Sequence, residues 1–181
     1  KLGPMNREEL GRAIETPARL HDVIFEPGLT DRILDDIGHE PGNLPLLEFA
    51  LTLLWEKRRS RRLTHATYEE IGRVEGALAQ HANTVYDKLS DANKARARRV
   101  FIQMVRPGEG TEDTRRIATR TELSDTDWIL VHYLADERLV VTGRSIDGVQ
   151  TVEVVHEALI RGWGQLRDWM NADRTFRAWQ E

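Results

Sequence analysis

The spacing of apolar residues changes partway along this chain, and the change restricts the folds that it can adopt. Through residues 1–89 apolar positions recur every three to four residues, as in α-helices, with turns such as Pro27-Gly28 between them. Further on, helical segments alternate with β-rich runs that flank Asp147-Gly148, a strong hairpin-turn dipeptide. The order helix, short strand, helix, helix, hairpin is that of a winged helix. We therefore predict a mainly α protein with a helical bundle over 1–89, a winged helix with a small β-hairpin over 90–156, and a long C-terminal helix over 157–181.

Two helices of the first half have specific sequence signals. Asn6, followed three residues later by Glu9, predicts a capping box at the start of a helix that runs to about Leu20. The run from Leu44 to Trp55 is apolar on nearly every face. A surface helix keeps a polar side, so this run predicts a centrally buried helix.

The composition is that of a soluble protein with its own core. The 181 residues are 40% hydrophobic, contain no Cys and have a net charge of −4. The absence of Cys excludes disulfides and thiolate zinc sites. The longest apolar run is too short and interrupted to cross a bilayer, and the opening residues have no signal-peptide core. These features predict a cytoplasmic location and no membrane partner.

The motifs of common catalytic sites are absent from the sequence. A phosphate-binding Walker A loop needs a Lys followed by Ser or Thr, and none of the four Lys residues has that neighbour. The six His residues never form a two-His helical motif with a nearby carboxylate, and no Gly-x-Ser-x-Gly element occurs. We therefore predict no catalytic residues and no metal site, so that this chain is not itself an enzyme.

The predicted groove-facing helix of the winged helix is acidic, which disfavours DNA binding. Recognition helices present Arg, Lys, Asn or Gln to bases and cations to phosphates. This helix instead carries Asp125, Asp127, Asp136 and Glu137. The basic clusters at 57–62 and 94–99 are interpreted as solvated faces. The alternative interpretation of the cluster at 57–62 is that it contacts a partner domain or a nucleotide phosphate. Nucleic acid is therefore an unlikely partner.

Three short stretches resemble one known family when they are taken together. The opening Leu2-Gly3-Pro4-Met5 resembles the start of the helical lid of STAND NTPases. Gly42-Asn43-Leu44-Pro45-Leu46 is similar to the Gly-Leu-Pro-Leu element of that lid. Val155-His156-Glu157-Ala158-Leu159 is similar to the Met-His-Asp element that closes their winged-helix domain. Its continuation HEALIRGWGQLRDWM most resembles the bacterial subgroup often fused to WD repeats.

This resemblance implies a regulatory role in a larger signalling ATPase. The lid and the winged helix would clamp ADP in the resting state and rearrange when ATP replaces it. By the same resemblance Pro45 would pack near the adenine and His156 would reach the diphosphate, with Gly42 and Leu44 as supporting motif residues. ADP or ATP would bind the full-length protein and bind this segment weakly or not at all. The implied partners are the protein's own N-terminal P-loop core and C-terminal sensor, and activation can involve a homo-oligomer.

Other interpretations of the same residues remain open at this point. His156 can be a capping or core histidine, and Pro45 can be an ordinary first-turn helix proline. The whole chain can be a winged-helix DNA-binding regulator. It can also be a protein-interaction scaffold whose Trp-rich end, at Trp163, Trp169 and Trp179, docks a neighbour.

Overall fold

The computed structural model describes residues 5–38, 43–108 and 111–178. Within these ranges nine α-helices and three small sheets form the fold, which confirms the predicted mainly α class. None of the helices in the described residues is both long enough and apolar enough to cross a membrane. The chain divides into two compact units, Lys1–Gln80 and His81–Glu181. This division falls within one helix, whereas the sequence analysis placed a boundary between residues 89 and 90.

The unit Lys1–Gln80 combines helices with a two-stranded parallel sheet. Its elements are α1 (Arg7–Leu20), β1 (Ile24–Phe25), α2 (Leu29–Ile37), α3 (Leu44–Glu56), β2 (Arg62–Leu63), α4 (His65–Glu70) and the first part of α5 (Arg73–Asp87). The predicted capping box is present at α1. The Asn6 side chain accepts a hydrogen bond from the Glu9 backbone N–H, and the Glu9 carboxylate accepts one from the Asn6 N–H, each at 2.9 Å. In the sheet, Ile24 of β1 lies opposite Arg62 of β2.

Helix α3 is buried along one side only, and the prediction that it is centrally buried was wrong. Its buried residues follow helical spacing: Leu46, Leu47, Ala50 and Leu54. Leu51 and Trp55 are only half-buried, and Leu44 is exposed. A stripe of this spacing covers one face of a helix. A unit of this size has too few elements to surround the helix, so the remaining apolar residues stay at or near the surface.

The unit His81–Glu181 contains the rest of α5 and most of the β structure. Its other elements are α6 (Asp91–Gln103), β3 (Val105–Arg106), β4 (Thr114–Arg115), β5 (Ala118–Thr119), a 3₁₀ turn (Arg120–Glu122), α7 (Asp125–Asp136), β6 (Val140–Arg144), β7 (Gln150–Val154), α8 (Glu157–Gly162) and α9 (Gly164–Ala178). β3 and β4 form an antiparallel pair, and β5, β7 and β6 form a three-stranded antiparallel sheet in that order.

The predicted hairpin is present, with its turn at Asp147-Gly148. β6 and β7 pair from Val140 opposite Val154 to Arg144 opposite Gln150. Gly148 has a φ of 79°, a left-handed conformation that favours Gly, which explains this residue at the turn. The hairpin thus forms where the local turn chemistry predicts it.

The predicted single C-terminal helix is two helices, and the break lies at Trp163. Trp163 has extended backbone angles between α8 and α9 and is flanked by Gly162 and Gly164. The break turns its indole into the core, where it is 1% exposed. The expectation that Trp163 and Trp169 dock a neighbour does not agree with this burial, because both side chains are buried. Trp179 lies outside the described residues.

Candidate functional site

Leu44 and Pro45 form the first turn of α3. The proline stands at one of the first two helical positions, where its missing N–H costs no intrahelical bond. Asn43 precedes the helix, and its Nδ2 donates to the Ile37 carbonyl at 2.9 Å, which ties the start of α3 to the end of α2. Leu44 and Pro45 are exposed. Gly42, the third residue predicted for this motif, lies outside the described residues.

His156 lies at the junction between β7 and α8. Its backbone is extended, and its Nδ1 accepts a hydrogen bond from the Ala158 backbone N–H at 3.1 Å, so the imidazole caps α8. The neighbouring Val155 N–H donates to the Leu139 carbonyl at 3.1 Å, and Leu159 of α8 is fully buried. Strand pairing on one side and core packing on the other therefore fix the position of a half-buried histidine.

The cap also determines which ring nitrogen can donate a hydrogen bond. A neutral imidazole whose Nδ1 accepts a bond carries its proton on Nε2. Nε2–H is the type of group that donates to carbonyl or phosphate oxygens. The geometry therefore agrees with the capping interpretation of His156, and its contact with a phosphate stays a prediction.

The predicted site residues lie in different units of the chain. Pro45 belongs to the unit Lys1–Gln80, and His156 belongs to the unit His81–Glu181.

A polar network around the buried Tyr68 in the first unit was not predicted from the sequence. The Tyr68 hydroxyl donates to Asp36 Oδ2 at 2.8 Å, and Arg73 Nε donates to the same oxygen at 2.8 Å. Arg73 has a φ of 60°, which is uncommon for a residue other than Gly. Burial, and then the hydrogen bond to Asp36, raise the pKa of Tyr68 far above its usual value. The network joins α2 to α4 and α5 and has a structural role, because the Tyr68 ring is almost fully buried.

Part of the acidic charge on α7 is internal to the fold. Asp127 is buried, Arg99 Nη2 of α6 donates to its Oδ1 at 2.9 Å, and the Ser124 hydroxyl donates to its Oδ2 at 2.7 Å. Burial opposes ionisation of this carboxyl group, but the bonds from Ser124 and Arg99 outweigh burial and lower its pKa. Asp127 therefore joins α6 to α7 and does not face a partner. The signal in the sequence was the spacing of Ser124 and Asp127, which is that of a helix cap.

A further ion pair holds α9 in the second unit. Arg174 donates through Nη1 to Asp113 Oδ1 at 2.6 Å and through Nη2 to Oδ2 at 3.1 Å. Asp113 also accepts from the Gly108 N–H at 3.0 Å. This two-point geometry adds directional specificity to the charge pair. It fixes the segment before β4 against the last helix.

No group of three or more His, Asp or Glu side chains in the described part of the chain is arranged to hold a metal ion.

A protein-family model described as Novel STAND NTPase 1 matches residues 1–181 of the chain. No curated protein and no solved structure gives a significant match. Because the family match extends over the whole sequence, the chain belongs to the Novel STAND NTPase 1 family.

Proposed function

We propose that this chain is the regulatory, nucleotide-state-sensing part of a STAND signalling ATPase. Membership of the STAND NTPase family supports this role. In this proposal residues 1–89 form the lid, and residues 90–156 form a winged helix. The order α6, β5, 3₁₀ turn, α7 and the β6–β7 hairpin supports the winged-helix assignment.

The observation that carries the proposal is the fixed imidazole of His156. Its Nδ1 is engaged by the Ala158 N–H at 3.1 Å, so the neutral ring has its donor at Nε2. A nucleoside diphosphate supplies anionic oxygens, which are acceptors for such a donor. The Nε2 donor supports a contact between His156 and a phosphate oxygen of the nucleotide.

Pro45 has the complementary role in the lid. Its exposed ring at the start of α3 offers an apolar surface, which suits the face of a purine. The chain itself contributes no catalytic residue in this proposal, because none of its Lys residues precedes Ser or Thr. Its partners would be the P-loop core and the sensor of the full-length protein, and activation would release the lid and the winged helix from that core.

Two variants of the full-length protein separate the phosphate contact from the helix cap. His156→Ala removes both the cap and the Nε2 donor. His156→Ser keeps a side-chain oxygen that can cap α8 but removes the donor. A charge-assisted hydrogen bond contributes about 1.5–3 kcal/mol, so we expect ADP to dissociate about ten- to a hundredfold faster from both variants.

The measurements are the ADP dissociation rate and the melting temperature of the same preparations. We expect His156→Ala to melt earlier, because losing a cap costs about 0.5–2 kcal/mol, and His156→Ser to melt close to wild type. If His156→Ser releases ADP at the wild-type rate, His156 is a capping residue only and the proposed switch role is wrong.

A further inference from the structure

One surface of the first unit combines exposed aliphatic and cationic side chains. We name it the basic–aliphatic surface and define it by Leu20, Ile24, Trp55, Arg58 and Arg62. Leu20 and Ile24 are 80% and 59% exposed, the highest values among the large apolar side chains described in this unit. Arg58 and Arg62 are exposed as well. We propose that this surface binds a short acidic protein segment that also carries aliphatic side chains.

Backbone pairing holds the two kinds of side chain next to each other. Ile24 of β1 lies opposite Arg62 of β2, and the Ile24 N–H donates to the Arg61 carbonyl at 2.9 Å. In the same pair of strands Leu63 is buried, whereas Ile24 and Arg62 are exposed. The sheet therefore presents an aliphatic and a cationic side chain together to solvent before any partner binds.

Trp55 extends this surface on the side of α3. The Arg58 guanidinium lies over its ring at 4.7 Å from the centroid, and its Nη1 donates to the Trp55 carbonyl at 2.8 Å. The His21 ring packs against the Trp55 ring in a T-shaped contact at 5.7 Å. These contacts restrict Arg58, so less side-chain entropy is lost when it binds an anion.

The charge balance of the surface favours a partner with few carboxylates. Three of the five cations in residues 57–62 already have carboxylate neighbours: Lys57 and Arg59 lie beside Glu70, and Arg61 lies beside Asp22. The structure gives Arg58 and Arg62 no ion pair with any described residue. A guanidinium forms two parallel hydrogen bonds with a carboxylate, so these two arginines fit two acidic side chains.

The same balance disfavours nucleic acid and lipid as the partner. Duplex DNA is bound without sequence preference through many phosphate contacts, and two uncompensated cations are too few. A phosphate backbone also offers no apolar group to cover Leu20 and Ile24. An anionic membrane requires a larger polybasic cluster or a deeply buried apolar face. An acidic, aliphatic protein segment satisfies both components of the surface at once.

The test begins with a random peptide library displayed against residues 1–181. We expect enriched peptides to combine at least two Asp or Glu residues with Leu or Ile. Their affinity is then measured by fluorescence anisotropy with a labelled synthetic copy. Arg62→Glu is expected to weaken binding about tenfold or more, because it places like charges together. Ile24→Thr, which keeps the β-branched side chain at the strand, is expected to weaken binding to a smaller extent.

Arg12→Glu is the matched control, since Arg12 is exposed in the same unit and lies outside the basic–aliphatic surface. It should bind the peptides as wild type does. A variant whose melting temperature equals that of wild type is taken as folded. If Arg62→Glu melts at a lower temperature, Arg62→Gln is used in its place.

Two results would overturn the proposal. One is the absence of acidic peptides among those enriched. The other is equal binding of the enriched peptides to wild type and Arg62→Glu. The wild-type protein is also tested against phosphatidylglycerol vesicles and a 20-base-pair DNA duplex. If it binds one of these, Arg62→Glu abolishes that binding and no acidic peptides are enriched, the surface binds lipid or nucleic acid and the proposal is wrong. None of these outcomes depends on the nucleotide role proposed above, because no residue of that role is changed.

Discussion

Replacing Trp163 is expected to destabilise the second unit rather than to remove a docking surface. Its indole is 1% exposed, and its ring centroid lies 5.0 Å from that of Phe101 and 5.4 Å from that of Trp169. Its Nε1 donates to Asn83 Oδ1 at 2.8 Å. Trp163→Ala should lower the free energy of unfolding by about 3–5 kcal/mol, the usual cost of truncating a large buried aromatic residue.

A smaller part of this loss comes from the hydrogen bond to Asn83. Asn83 is exposed, so water can replace the indole as its partner, and the bond contributes about 0.5–1.5 kcal/mol. Trp163→Phe keeps a ring but lacks the N–H, and Asn83→Ala removes the acceptor. A double-mutant cycle of these two changes should return a coupling energy of about 0.5–1.5 kcal/mol.

The assay is urea unfolding at equilibrium, followed by far-ultraviolet circular dichroism. Ile146→Ala is the control, because Ile146 lies at the hairpin turn and is fully exposed, and its substitution should leave the midpoint unchanged. If Trp163→Ala unfolds within about 0.5 kcal/mol of wild type, the indole is not a core residue and the reasoning fails.

Three further predictions concern the burial of α3, the charge of Asp127 and the hydrolysis of ATP. Leu47→Ala should lower the free energy of unfolding by about 2–5 kcal/mol, whereas Leu51→Ala, at a half-buried position of the same helix, should lower it clearly less. Equal losses of stability in a urea titration would contradict the one-sided burial of α3. The lowered pKa of Asp127 means that its ionised form stabilises the folded state above the unfolded pKa of about 3.9, and that this contribution is lost as the pH falls through the lower, folded value. The stability advantage of wild type over Asp127→Asn should therefore shrink on acidification, and an advantage that grows would refute the assignment. The isolated chain should not hydrolyse ATP, since it has no Lys followed by Ser or Thr; phosphate release well above that of a mock purification would contradict this.

The sequence by itself determined the local features of the fold. The capping box of Asn6 and Glu9 and the hairpin turn at Asp147-Gly148 form where they were predicted. Each depends on hydrogen bonds or backbone angles within about four residues, so nearby side chains are sufficient to specify it. The mainly α class follows from the same local periodicity. The capping contact of His156 was one of two interpretations that the sequence left open, and it is equally local, because its partner is only two residues away.

Only the tertiary structure decided which distant residues meet. Asp36 bonds Tyr68 across 32 positions, and Arg174 bonds Asp113 across 61. The break at Trp163 has a local contribution from the flanking Gly162 and Gly164, but the contact of its indole with Phe101 of α6 depends on how the helices pack. Such contacts depend on how whole elements pack. One sequence pattern is compatible with many pairings of similar side chains. The pairings found in the fold are those that bury apolar groups in the core and leave buried polar groups hydrogen-bonded.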